Sequence, residues 1–404
     1  MDALSSSFYI YIKNTKTEKR AKLITEQENQ TLVKMSSSSK QTQLLAEVEK
    51  VDGAYLSALV LCFSRVFPAI LNAAVDLNLF DIIAKLQSSS GNNSSFSASE
   101  IASQLPNQHP ELAERLERML TVLASYSLLD CSIRRNEDGK RERVFGLSSI
   151  GQYFAYDKDG GSLGPLSTLV HRGYNGVWYD VKDAIINPNN NDHFNKVHGS
   201  PAYQYLEKNQ ELNQIFNKAM AHSGPLEMKR VLTLYKGFEG VSTLVDVGGG
   251  VGNALKQIIS EYPSIKGINF DLPQVIQDAQ PHPGIEHVEG NMFESVPTGD
   301  AILLKLVCHN WADEECVKFL RNCHKALPKH GKVIVLDYII PEAPNPSNIS
   351  KHACAIDNLM FLIHGGKERT ENEFQHLCMS SGFSKFHIAC SDISAMSGVM
   401  EFYK

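Results

Sequence analysis

Three residues far apart in the chain have the types needed to move a proton at neutral pH. His309 stands in Cys308-His309-Asn310-Trp311, Asp337 closes the apolar run Val333-Ile334-Val335-Leu336, and Glu368 sits in the loop Gly365-Gly366-Lys367-Glu368-Arg369-Thr370. An imidazole flanked by two carboxylates makes a general base, because the carboxylates orient the ring and stabilise its protonated form. The plainer readings are a structural hydrogen bond for His309 and a surface salt bridge from Glu368 to Lys367 or Arg369.

A second group of residues is suited to a ligand. In Val245-Asp246-Val247-Gly248-Gly249-Gly250-Val251-Gly252 an apolar run ends in an acid and then in glycines at 248, 250 and 252. Glycine lets the chain turn from strand into helix and lets the backbone approach a ligand with no Cβ in the way. The dinucleotide pattern G-x-G-x-x-G would need its third glycine at 253, which is Asn253. Asp-x-Gly-x-Gly-x-Gly instead resembles the S-adenosylmethionine loop of Rossmann-like methyltransferases, with a plain tight turn or a nucleotide site as alternatives. Asp271, in Phe270-Asp271-Leu272-Pro273, follows about 20 residues later, where a carboxylate can accept both hydroxyls of a ribose. Asn291 and Met292 suit the edge and face of an adenine, and Trp311 offers a stacking surface, though packing in the core suits it equally.

These residues matter only if strand ends bring them together. Apolar runs at 243–247, 266–270, 300–307 and 332–339, with a strand pair near 385–403, alternate with helical stretches. That is the pattern of a doubly wound parallel sheet, whose ligands sit outside the carboxyl ends of the strands. The expected fold class is α/β, a Rossmann-like sheet with an N-terminal, mainly helical, winged-helix-like domain. Residues 1–44 are polar and read as a disordered extension, 45–155 as the winged-helix-like domain, and 156–404 as a helical substrate region with the sheet.

From Tyr55 to Leu86 apolar residues recur at helical spacing, with a split expected near Pro68; a surface this apolar predicts a subunit interface. Two helices at 99–105 and 112–129, then a hairpin over 133–147, draw the outline of a winged helix. DNA binding is disfavoured, because the candidate recognition helix carries Glu111, Glu114, Glu117 and Asp130 against Arg115 and Arg118. The helical segment 153–235 is rich in aromatic residues, and Trp178 and Phe216 among them could floor a pocket for a flat apolar ligand.

Composition removes other classes. The 404 residues carry a net charge of −6, against a surface built for nucleic acid or anionic membrane. No apolar run reaches the roughly 18 residues of a membrane span and no signal peptide opens the chain, so the cytosol is the expected compartment. The 8 cysteines include no Cys-x-x-Cys pair, which argues against a disulfide framework. Cys308-His309, Cys316 and Cys323-His324 match no common zinc spacing; Cys316 and Cys323 are expected on the buried face of a helix from about Asp313 to Leu327. No metal is expected.

Taken together, Val245–Gly252, Phe270–Pro273, Gly290-Asn291-Met292-Phe293, Cys308–Glu314 and Gly365–Thr370 resemble the plant phenolic O-methyltransferases of the caffeic acid and flavonoid type, over about residue 50 to Lys404. Asn310 and the ending Gly398–Lys404 resemble the branch that methylates chalcones such as isoliquiritigenin at the 2'-hydroxyl. The resemblance implies that Gly248, Asp271, Asn291, Met292 and Lys305 hold S-adenosylmethionine and that His309 is the base, flanked by Asp337 and Glu368. It places Met220 and Met360 against the acceptor ring and the reactive sulfur, and implies a homodimer. Asn291 replaces an acid usual in the family and loses a charge-assisted bond; Asp337 replaces a longer Glu common there. The expected reaction is in-line methyl transfer to a phenolic hydroxyl deprotonated by His309, on a chalcone, with a flavonoid, an isoflavonoid or caffeic acid as alternative acceptors. The rivals are an NAD-dependent oxidoreductase, which Asn253 opposes, and a winged-helix DNA binder.

Overall fold

The computed structural model describes residues 52–91, 94–136, 138–188, 192–390 and 398–404; the extension expected at 1–44 lies outside them. The chain divides into two units, residues 1–66 and Phe67–Lys404. In the first, Asp52–Cys62 is helical and exposes Tyr55, Leu56, Val60, Leu61 and Phe63. The next helix is Val66–Asp76. The break therefore precedes Pro68, which sits in the first helical turn where its missing N–H is not needed.

A small antiparallel sheet of β1 (Phe96–Ser97), β2 (Leu129–Arg135) and β3 (Arg141–Leu147) has the order β1-β3-β2. The helix Ala98–Ala102 begins with a capping box in which Ser97 and Glu100 satisfy each other's backbone N–H groups. The helix Leu112–Ser125 stops short of the expected Leu129, because Ser127 takes a positive φ of 60° and β2 starts two residues later. Basic side chains here are paired: Arg115 with Glu111, Arg118 with Glu114, Arg134 with Glu100 and Glu142, and Arg143 with Glu117.

The large sheet comprises β4 (Thr243–Val247), β5 (Lys266–Asp271), β6 (Ile285–Glu289), β7 (Ala301–Lys305), β8 (Lys332–Asp337), β9 (Lys385–Cys390) and β10 (Gly398–Tyr403). Its order is β6-β5-β4-β7-β8-β10-β9. β4 to β8 run parallel, and β10 enters antiparallel to both β8 and β9. β4 lies between β5 and β7, so the strand order reverses there and a crevice opens at the carboxyl ends.

Consecutive residues of the strands feed opposite cores. Val245, Ile302 and Val333 pack with Cys316, Phe319, Cys323, Phe374 and Phe402 on one face. Leu244, Leu303 and Ile334 pack with Val231, Phe238 and Ile258 on the other. Cys316 and Cys323 lie on the helix Asp313–Ala326, fully buried as expected. β7 ends at Lys305, earlier than the expected 307, because Leu306 adopts φ 55°. That turn lifts the chain out of the sheet and carries His309 with it. No single helix among the described residues is long and apolar enough to cross a membrane.

Candidate active site

The three proton-handling residues meet. His309 Nδ1 lies 2.8 Å from Glu368 Oε1 and 3.7 Å from Asp337 Oδ1. Both carboxylate side chains are fully buried and His309 is 7% exposed. Each arrives from a different strand end or loop. Asp337 closes β8 and accepts the Cys308 N–H at 3.1 Å through Oδ2, which ties it to the turn bearing His309. Glu368 is not the surface residue its neighbours made conceivable: Lys367 turns to Glu373 and Asp313, while Arg369 is buried.

The loop carrying Glu368 is docked on the backbone of His309. The Lys367 N–H donates to the His309 carbonyl at 3.0 Å, and a Cβ on Gly366 would lie 2.1 Å from the same oxygen, so only glycine fits. Arg369 donates to the carbonyls of Cys308 and Trp311, each at 2.7 Å, and to Asp313. One guanidinium thus clamps both sides of His309. The backbone of Glu368 donates to Asp357 at 3.0 Å.

Burial governs the electrostatics. It pushes Glu368 up to about 8, with Asp357 adding to the effect, and Asp337 up to about 7. Burial also pulls His309 below its ordinary value, while Asp337 and Glu227 pull it back up. In the tautomer whose Nδ1–H faces Glu368 at 2.8 Å, Nε2 keeps the lone pair that can take a proton. The same three ligand atoms lie within 4.8 Å of one another, a spacing that would also suit a metal ion.

The glycine loop fits a nucleoside bearing an amino-acid tail. Gly248, Gly250 and Gly252 have φ of 72°, 60° and 86°, which side chains rarely adopt. Asp271 accepts the Gly250 N–H at 2.8 Å and the Leu272 N–H at 2.7 Å, one on each oxygen, and each oxygen keeps a lone pair for a hydroxyl. Among the described residues, both oxygens of Asp246 and the Asn269 carbonyl oxygen are buried without hydrogen-bond partners. Burial pushes Asp246 up to about 7. A Cβ on Gly249 would come 2.3 Å from Asn269 Oδ1 and 2.7 Å from Asp246 Oδ2, so these orphaned atoms lie directly under the loop.

The remaining expected residues are placed less uniformly. Asn291 accepts the Phe293 N–H at 3.0 Å and donates to Glu294, and Met292 packs beside Phe293 and Trp311 at the margin of one core. Trp311 meets Phe293 edge-on, with ring centroids 4.8 Å apart. Trp178 donates its indole N–H to Val170, and both it and Phe216 border a cluster holding Tyr174, Phe194 and Leu362. Met220 is 41% exposed on the helix Gln210–Leu234, and Met360 lies on Asn348–His364. Lys305 is paired with Glu227 at 2.6 Å. Sequence reasoning missed Glu227, Asp357 and the clamp by Arg369. Glu227 carried no signal beyond an acid in a helix whose faces are weakly segregated.

Comparison with known proteins agrees with this architecture. The O-methyltransferase domain matches residues 178–384, and the O-methyltransferase dimerisation domain matches 59–157. The chain is 44% identical over 372 residues to the caffeic acid 3-O-methyltransferase of Clarkia breweri, covering 91% of this chain and 99% of that one. O-methyltransferase 13 of Lophophora williamsii is 45% identical with the same coverage. Human N-acetylserotonin methyltransferase, solved in complex with SAM, shares the fold with a TM-score of 0.70 at 20% identity, over 87% of this chain and 97% of its own. With a domain match over half of the chain, from 178 to 384, and relatives 44–45% identical over 99% of their length, the chain belongs to the O-methyltransferase family.

Proposed function

We propose that this O-methyltransferase uses S-adenosylmethionine to methylate a phenolic hydroxyl of a plant phenylpropanoid, with His309 as general base. The observation that carries the reading is the buried cluster in which Glu368 lies 2.8 Å from His309 Nδ1 and Asp337 3.7 Å away, beside a glycine loop with orphaned acceptors beneath it. Bound S-adenosylmethionine supplies a methyl group already activated on a positive sulfonium. The chain's own work is to remove one proton. A free phenol has a pKa of about 10, so few molecules are ionised at neutral pH. Nε2 of His309 takes the phenolic proton, and the new imidazolium is stabilised by the ionised forms of Asp337 and Glu368, which its positive charge favours. Gly248, Asp271, Asn291, Met292 and Lys305 hold the donor, Trp311 borders its adenine, and Met220, Met360, Phe216 and Trp178 line the acceptor side.

Two acceptors fit this chemistry. A chalcone methylated at its 2'-hydroxyl is favoured by Asn310 and the ending Gly398–Lys404. Caffeic acid is favoured by relatives so named at 43–45% identity. A homodimer is supported by the dimerisation-domain match over 59–157 and by the exposed Tyr55, Leu56, Val60, Leu61 and Phe63.

Product analysis decides the acceptor: purified protein and S-adenosylmethionine are incubated with isoliquiritigenin, other flavonoids and caffeic acid, and the products are identified by mass spectrometry. A 2'-O-methyl chalcone as main product supports the first acceptor and ferulic acid the second. Absence of any methylated phenol would overturn the reading.

A further inference from the structure

Lys305 and Glu227 come from distant parts of the chain and meet between the glycine loop and His309. Lys305 is the last residue of β7, and Glu227 lies on the helix Gln210–Leu234. Their Nζ–Oε2 separation is 2.6 Å, with the side chains 16% and 7% exposed. Parallel pairing sets Asp246 opposite Leu303, so two residues further along, where the strands end, come Gly248 and Lys305. A Cβ on Gly248 would lie 3.0 Å from Val307, which brings the loop against the segment leading to His309. Lys305 acts electrostatically on both Asp246 and His309, and Glu227 on His309, Tyr338 and His352.

Stability alone is a poor reason to keep such a pair, since desolvating two charges offsets most of their attraction. A ligand that exchanges charge for charge gives a better one. The tail of S-adenosylmethionine carries an ammonium and a carboxylate on one carbon. We infer that Glu227 accepts the cofactor's α-ammonium while Lys305 takes its α-carboxylate, so that a buried ion pair and a zwitterion rearrange into two charge-matched contacts. No net charge enters the crevice from that end of the molecule, and both new bonds are charge-assisted. The assignment rests on the S-adenosyl reading of the site and extends it to a residue on the long helix, outside the sheet.

Calorimetric titration tests it without turnover, using S-adenosylhomocysteine, the same molecule with its amino group replaced by hydrogen, and 5'-methylthioadenosine. The wild-type protein is expected to bind the deaminated compound about tenfold or more weakly than S-adenosylhomocysteine, the scale of a hydrogen bond between charged groups. In Glu227→Gln that gap should shrink to within about threefold, while methylthioadenosine, which lacks the tail, binds as before. Equal wild-type binding of the first two compounds, or a gap that persists in Glu227→Gln, overturns the inference. Should Glu227→Gln leave Lys305 uncompensated and unfold, the double variant with Lys305→Gln carries the same comparison. Failure of the wild-type protein to bind methylthioadenosine and S-adenosylhomocysteine alike would overturn the S-adenosyl reading and the inference with it.

Discussion

Arg369 and Arg134 make the same kinds of bond in opposite settings. Arg369, fully buried, spends its donors on two carbonyls that flank His309 and on Asp313. Arg134, on the small sheet, bridges Glu100 and Glu142 with 40% of its side chain exposed. Water can replace the partners of Arg134 at little loss, whereas it cannot reach the carbonyls that Arg369 serves. An ion pair of given length is therefore structural at the strand ends and close to decorative on the wing.

The contrast is broken most directly by Arg369→Leu, which takes the charged donor away from the carbonyls of Cys308 and Trp311. Removing one partner from a buried charged network is worth about 3–5 kcal/mol, so the variant is expected to unfold at a much lower denaturant concentration and to lose activity with the turn holding His309. Next comes His309→Gln, a change in chemistry with no comparable change in fold. Turnover should fall about 10²- to 10⁴-fold while the melting temperature stays within a few degrees, and near-normal turnover would remove the base assignment.

Glu368→Gln sharpens the comparison through pH. Burial raises Glu368 to about 8 against 4.5 for the free side chain. The folded protein thus holds a proton that the unfolded chain releases above 4.5, and the stability contributed by that group is present below 4.5 and lost as pH rises through about 8. The glutamine variant should gain thermal stability over the wild type progressively between pH 5 and pH 8, seen in melting curves; a constant difference would mean that Glu368 titrates normally. Arg134→Ala should shift stability by less than about 1 kcal/mol and leave activity untouched. Smallest of all is the effect expected from a chelator. The sulfonium of the donor needs no Lewis acid, so EDTA should leave turnover unchanged, and a loss restored by one divalent cation would turn His309, Asp337 and Glu368 into metal ligands.

Residues at the ends of parallel strands were readable because a buried strand announces itself and its last residue must face the crevice. Asp271 follows from that rule, while Lys305 and Asp337 close their strands in the structure two residues short of the expected ends at 307 and 339. The helical segment gave no such rule. Trp178 and Phe216 suggested a pocket floor by residue type, yet both border a packed cluster with Phe194 and Leu362, because aromatic side chains serve a core and a ligand equally well. Met220 and Met360 rested on resemblance, and their acceptor role stays a proposal.

By itself the sequence determined the alternating sheet, the glycines whose positive φ angles no other residue adopts easily, and the carboxylates and imidazole available at the strand ends. Periodicity and backbone sterics act over a few residues, so they are written locally. Only the tertiary structure decided that Glu368 turns inward while Lys367 turns out, that Arg369 clamps the turn of His309, and that Glu227 crosses from a helix to meet Lys305 at 2.6 Å. Those outcomes depend on which buried charge finds a partner when distant segments pack, and no local pattern encodes a partner some 80 residues away.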